Sequence, residues 1–372
     1  MQIIFHSSRL LLVELEFGKV LGNGTFGVVR EVTHIRLSLS ETESWSNSSD
    51  AETETNGSAD GSEITGTDGR HYNIGTVREL IAQRCMRNGE AQYAVKTLKD
   101  DLDDLDAATG RVDLAFEVKF LHSHSHPNII KMRGVFGAGD PSHPDFFFVM
   151  DRLYGTLGDR ILEWKKKQET NPRRVLRNIL FVKRGTRGPT KRSAIERLLV
   201  AYDIASALRY IHSHKLVYRD VKPENVGFDI RGNVKLFDFG LTRSLDPELR
   251  NARGMYHFTE RTGSIPYMAP EVAMMEPYNE KCDVYSFGIL LWEILSLNQA
   301  YASIVHSPTD FFQHVIEKQI RPPITRKWPL MVKHAMLSAW SESPQLRPSM
   351  IQICTMLQAP LDAMAADENA HK

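Results

Sequence analysis

Asp220, Lys222, Asn225 and Asp238 fall within one stretch, Val217 to Gly240, of a 372-residue chain. The stretch reads Val-Tyr-Arg-Asp-Val-Lys-Pro-Glu-Asn-Val, then a turn at Arg231-Gly232-Asn233, then Val-Lys-Leu-Phe-Asp-Phe-Gly. Two carboxylates stand at the ends of short apolar runs, and an amide follows the first by five residues. Carboxylate and amide oxygens are the donors that hard divalent cations such as Mg²⁺ take. Lys222 adds a positive charge two residues from Asp220. On a single strand–turn–strand unit these groups suit phosphoryl transfer. One orients a hydroxyl, two hold metal, and a cation screens the migrating charge. Any one of them alone reads better as a polar turn residue. The ordered set is what points to chemistry.

Tyr218-Arg-Asp-Val-Lys-Pro-Glu-Asn225 resembles the catalytic loop of eukaryotic protein kinases, and Asp238-Phe239-Gly240 resembles their metal-binding motif. The resemblance is to the serine/threonine type, and Tyr285, Ser286 and Trp292 resemble the tyrosine-kinase-like branch. It implies an α+β, bilobal fold: a small antiparallel β-sheet lobe with one helix, and a larger, mainly helical lobe. The implied kinase domain covers 14–358, with lobes at 14–150 and 151–358 and a tail at 359–372. The implied cofactors are ATP and Mg²⁺, with Mn²⁺ as an alternative. Asp220 takes the role of catalytic base, Lys222 stabilises the transferred group, and Asn225 and Asp238 bind metal.

The elements that must position these groups lie on both sides of the stretch. Gly22, Gly24 and Gly27 stand in G-x-G-x-x-G order, which dinucleotide folds share. Here Val28, Val29, Val32 and Ile35 read as a strand, so the glycines sit on a hairpin rather than at the start of a helix. The resemblance assigns Leu21, Gly22, Asn23, Gly24, Thr25, Phe26 and Gly27 to the nucleotide, with Phe26 covering the phosphates and Val29 touching adenine. Gln92 to Leu98 alternates as the next strand. There Ala94 is implied to pack on adenine and Lys96 to hold phosphates. A helix over roughly 107–123, with Val112, Ala115, Phe116, the Lys119 stem and Phe120 as its apolar positions, carries Glu117, nine residues before His126. That interval resembles the kinase pattern and makes Glu117 the expected partner of Lys96, with Asp113 the competing acid. Phe146 to Leu153 reads as a buried strand. Met150 is implied at the back of the adenine pocket, with Asp151 to Leu153 offering backbone groups to the adenine edge.

Two segments depart from the family pattern. Residues 38–72 are acidic and rich in Ser, Thr and Gly, and read as disordered. Residues 165–192 turn basic after a short helix over 156–164. A capping box at Ser193-Ala-Ile-Glu196 is expected to start the next helix, with Ile195, Leu198, Leu199, Tyr202, Ala205, Leu208 and Ile211 on its core face. Tyr218 stands where most kinases carry His, with an aromatic stack against Phe239 expected to survive. Gly227 stands where they carry Leu or similar under the adenine, so weaker nucleotide binding or a shifted Phe228 is expected. Ser264 is expected near Asp220 and Lys222, Glu271 against Arg347, and Asp283 against the catalytic-loop backbone. Thr259, with Glu260 beside it, is the expected regulatory position, and Arg219 the residue that receives a phosphate there.

Bulk properties bound the rest. The formal net charge of 0 gives no sign of a nucleic-acid binder. The 3 cysteines are far apart and form no metal or redox pair, which fits a reducing compartment, cytoplasmic with nuclear as the alternative. No run reaches the roughly 18 apolar residues of a membrane span. The partners this implies are proteins carrying Ser or Thr, and an upstream kinase acting on Thr259. The competing reading is a pseudokinase scaffold, supported by Tyr218 and Gly227.

Overall fold

The computed structural model describes residues 15–35, 63–65, 71–73, 85–87, 89–136, 143, 146–170, 190–258 and 262–369. The chain splits into two compact units, 1–123 with 131–152, and 124–130 with 153–372.

The first unit is a five-stranded antiparallel sheet. Its strands are β1 (Leu15–Asn23), β2 (Gly27–Ile35), β3 (Tyr93–Leu98), β4 (Met132–Phe136) and β5 (Phe147–Asp151), in the order β1-β2-β3-β5-β4. Strand alternation sends Val32, Val95 and Val149 to one face, where they form a core with Leu15, Ile35 and Phe147 around Cys85. Each such fully buried side chain contributes about 1.5–3 kcal/mol. The other set, Ala94, Lys96, Phe148 and Met150, is brought into line by the pairings Ala94–Met150 and Lys96–Phe148.

Helix α1 (Asp104–Ser123) completes this unit. Its buried residues are Gly110, Leu114, Glu117, Val118, Phe120 and Leu121, whereas Val112 and Phe116 are exposed. The face expected from Val112 and Phe116 is therefore wrong. The helix turns Glu117 inward, and the residues one turn away from it follow.

The second unit is mainly helical. It holds α2 (Leu157–Glu169), α3 (Thr190–Ser213), α4 (Lys281–Ser296), α5 (Leu330–Ala339) and α6 (Met350–Asn369), with a hairpin of β6 (Val226–Phe228) and β7 (Val234–Leu236). Every residue of α4 from Cys282 to Ile294 is buried, as its near-continuous apolar run requires. At its start Glu271 and Arg347 form a buried two-pronged ion pair, Nη1–Oε1 2.6 Å and Nη2–Oε2 2.8 Å, the contact expected from the sequence.

Several expected boundaries move. Glu63–Thr65 pairs with His71–Asn73, so the acidic segment is not wholly without structure; Ile64, Thr65 and Tyr72 are types that fit a pleated ladder. Helix α2 runs on to Glu169 and takes in Lys165–Lys167, whose charge suits a helix C-terminus. Its real capping box is Thr156 with Asp159. Helix α3 begins at Thr190, so Ser193 lies inside it; Glu196 accepts from Trp164 Nε1 at 3.1 Å instead of capping. Leu199 on this helix is exposed, while Leu198, Ala205, Leu208 and Ile211 are buried. The tail expected from Ala359 is helical to Asn369 despite Pro360, anchored by buried Leu361. The remainder of both insertions lies outside the described residues. No helix among the described residues is long and apolar enough to cross a membrane.

Replacing Glu271 with Gln leaves the fully buried Arg347 without its counter-charge. We expect a loss of about 3 kcal/mol in denaturant unfolding. A loss below about 1 kcal/mol would show that the pair does not support the second unit.

Candidate active site

The first unit supplies one set of groups. Lys96 Nζ lies 2.5 Å from Glu117 Oε2, with the carboxylate only 2% exposed. Glu117, not Asp113, is thus the acid that meets Lys96. The ladder also sets Gly22 beside Val29 and Val29 beside Lys96. Asn23, Gly24 and Thr25 are exposed at the hairpin tip, which a Gly24 N–H to Gly27 O bond of 2.9 Å closes; Leu21 and Val29 are half-buried. Phe26 lies against α1. A Cβ at Gly110 would stand 2.7 Å from Phe26 Cβ, so a glycine is needed there for the loop to dock. Ala94 and Met150 are buried.

Backbone groups beyond β5 are divided between structure and availability. The Asp151 N–H donates to Lys131 and the Arg152 N–H to Gln92. The Asp151 carboxylate is taken by Arg133, at 2.5 and 2.8 Å. The first residue of the second unit, Leu153, has an N–H with no acceptor among the described residues.

The second unit supplies the other set. Asp220 is 7% and Asn225 4% exposed. Asp220 Oδ2 is held by Lys222 Nζ at 2.7 Å and by Asn225 Nδ2 at 2.7 Å, and Oδ1 accepts from Ser264 Oγ at 3.2 Å. Lys222 also donates to Ser264 at 3.0 Å, as the sequence suggested. Asn225 Nδ2 further donates to Asp220 O, so both of these bonds use the amide nitrogen and neither uses the amide oxygen. The β6–β7 hairpin and a Phe237 N–H to Asn225 O bond carry the chain to Asp238, which adopts a left-handed φ of 63°. An amide oxygen and a carboxylate form a hard donor set that fits Mg²⁺.

Asp283 sits beneath this loop, accepting from Tyr218 N at 2.8 Å, Arg219 N at 2.7 Å and His212 Nε2 at 2.8 Å. The Tyr218 and Phe239 rings meet edge-on at 5.3 Å, so the aromatic stack survives without His. The Tyr218 hydroxyl is itself satisfied by Phe237 O. Arg219 donates to Leu241 O at 2.6 Å and to the Tyr278 hydroxyl at 3.0 Å, and lies 5.5 Å from the Phe258 ring. Thr259 and Glu260 lie outside the described residues.

At Gly227 the expected shift of Phe228 is not seen. A Cβ there would stand 2.6 Å from Leu153 Cδ1 and 3.3 Å from Gly155 O. Leu153 fills the space that the glycine vacates, and Phe228 stays in its ladder opposite Val234. Nothing in the spacing of residues 153 and 227 links them in the sequence. Gly110 as the seat of Phe26, and Tyr278 as a partner of Arg219, were also missed.

The family profile of protein tyrosine and serine/threonine kinases matches residues 71–357, so the chain belongs to that family. Its relatives are serine/threonine and dual-specificity kinases of the tyrosine-kinase-like type. It is 36% identical over 179 residues to the dual specificity protein kinase shkD of Dictyostelium discoideum, covering 47% of this chain and 23% of that protein. It is 34% identical over 166 residues to the serine/threonine/tyrosine-protein kinase HT1 of Arabidopsis thaliana, covering 44% and 40%. It is 30% identical over 248 residues to mitogen-activated protein kinase kinase kinase 7 of Drosophila melanogaster, covering 66% and 31%. The chain thus spans less than half the length of each.

Two outcomes follow from the packing. Gly227→Leu should lower stability by about 1–3 kcal/mol in thermal unfolding, and Leu153→Ala in the same chain should restore most of it; simple additivity of the two losses would refute the filling role. Glu293 accepts from Tyr267 Oη at 2.8 Å and Ala300 N at 2.6 Å, and burial raises its pKa from 4.5 to about 7. The folded state then keeps a proton that the unfolded chain releases. Stability should fall by about 3 kcal/mol as pH rises from about 4.5 to about 7 and change little above. Glu293→Gln should flatten that slope, and an unchanged slope would assign it to other groups.

Proposed function

We propose that the chain is an active protein serine/threonine kinase, transferring the γ-phosphoryl group of ATP to Ser or Thr hydroxyls of protein substrates in intracellular signalling. The observation that carries this reading is the fixed Asp220 carboxylate. Lys222, Asn225 and Ser264 hold it in one orientation, and a general base works from a defined position. Asp220 orients the substrate hydroxyl and accepts its proton. Lys222 stands beside it to stabilise charge on the transferred group. Asn225 and Asp238 would hold Mg²⁺, or Mn²⁺, which when bound supplies charge neutralisation at the phosphates. Lys96, fixed by Glu117, holds phosphates on the same nucleotide, under the loop from Leu21 to Gly27. Ala94, Val29 and Met150 supply apolar contact to the base, and the Leu153 N–H supplies an edge donor.

The preference for Ser and Thr over Tyr rests on Lys222 with Ser264, a pattern resembling serine/threonine kinases. An upstream kinase acting on Thr259, and a cytoplasmic or nuclear location, belong to the same reading. The scaffold alternative drew on Tyr218 and Gly227. Tyr218 packs on Phe239 and Leu153 occupies the space at Gly227, so neither departure leaves a gap in the packing.

Incorporation of labelled phosphate from ATP into a generic protein substrate tests this. Asp220→Asn and Lys96→Met should each lose at least about 100-fold. Equal incorporation by wild type and both variants would leave the scaffold reading. Phosphoamino-acid analysis should find phosphoserine and phosphothreonine, and predominant phosphotyrosine would overturn the specificity.

A further inference from the structure

A cavity of about 390 Å³ opens in the second unit where the end of α3 approaches the start of α6. None of the residues assigned above to the nucleotide, the metal or the proton lines it. Three cations do: Arg209, Lys215 and Arg250. Among the described residues none of the three enters an ion pair, and the Arg209 guanidinium makes only a 3.4 Å contact to Ser206 Oγ. Other arginines of this unit are matched, Arg347 to Glu271 and Arg321 to Glu342. His212 also borders the cavity, but its Nε2 is committed to Asp283. Glu280 is the single carboxylate in the wall. Three unmatched positive charges against one negative charge, gathered in a concavity, focus field on whatever enters.

We propose that this cavity binds a phosphate monoester. Two guanidinium forks and an ammonium suit a dianion with several acceptor oxygens, and Arg favours the geometry of phosphate. The volume is that of a small-ligand pocket, larger than a bare oxyanion needs. Buried Leu245 and Met350 in the wall offer apolar surface to an organic carrier. The site is independent of the proposed catalysis. A phosphorylated metabolite and a phosphorylated protein side chain share this chemistry.

The test titrates the full chain with inorganic phosphate, glycerol 3-phosphate and a pentapeptide centred on phosphoserine, against glycerol and the serine peptide. Calorimetry and the unfolding midpoint are the readouts. At least one organic phosphate should bind and raise the midpoint, while its unphosphorylated counterpart should not. Arg250→Gln with Lys215→Gln should weaken that binding at least about tenfold. Glu280→Gln should tighten it, and Lys96→Met should leave it unchanged, which separates this cavity from the proposed nucleotide site. Binding of the peptide assigns protein-borne phosphate; binding of glycerol 3-phosphate assigns a metabolite. Equal affinity in the double variant, loss on Lys96→Met alone, an adventitious ion only (inorganic phosphate binding without either organic probe), or no binding of any phosphorylated probe overturns the proposal.

Discussion

A single buried carboxylate, Asp283, fixes the geometry from which the second unit's chemistry follows. It is 1% exposed on a helix that is buried all round, and it takes the backbone N–H groups of Tyr218 and Arg219 together with the His212 ring. Those two N–H groups belong to no strand or helix ladder at that point, and left unpaired in the interior they would cost about 1–3 kcal/mol each. Arg219 also adopts a φ of 73°, a conformation that L-residues avoid. The carboxylate stabilises this strained backbone, and Asp220, one residue on, inherits a fixed origin. Lys222, Asn225 and Ser264 then set the orientation of its side chain.

The same unit repeats the device of a polar group carried into the core and matched there. Glu271 meets Arg347, and Glu293 meets the Tyr267 hydroxyl and the Ala300 N–H. Tyr267 lies three residues after Ser264 and is tied to α4 twice, its hydroxyl donating to Glu293 and its carbonyl accepting from Ser286 Oγ, so the segment that touches Asp220 is anchored to α4 at that end. Such matched groups add little net stability against an apolar core, but breaking one leaves an uncompensated charge. Rigidity of this kind suits the proton acceptor that the proposed function makes of Asp220. In the first unit the analogous match is Lys96 with Glu117, where the sheet supplies the lysine and α1 the acid.

Much of this was legible because the informative residues are close in sequence. Asp220, Lys222, Asn225 and Asp238 sit within one loop and hairpin, and Glu117 could be placed by its interval from His126. Long-range compensation was not legible. That Leu153 fills the space at Gly227, or that Gly110 makes room for Phe26, depends on side chains whose spacing carries no signal. The buried face of α1 was misjudged because Val112 and Phe116 outweighed Glu117 on an apolar count, although the acid is the residue turned inward. The starts and ends of α2, α3 and α6 moved because cross-helix contacts such as Trp164 with Glu196, and the burial of Leu361, overrode local capping and tail signals.

The proposed function requires Lys96 and Asp238 to act on one nucleotide. Mg²⁺-dependent ATP affinity in a double-mutant cycle of Lys96→Met and Asp238→Asn tests it most directly. Each single change should weaken binding, and the pair should lose less than the sum, with a coupling of at least about 1 kcal/mol. Strictly additive losses, or a single change without effect on affinity, would contradict it.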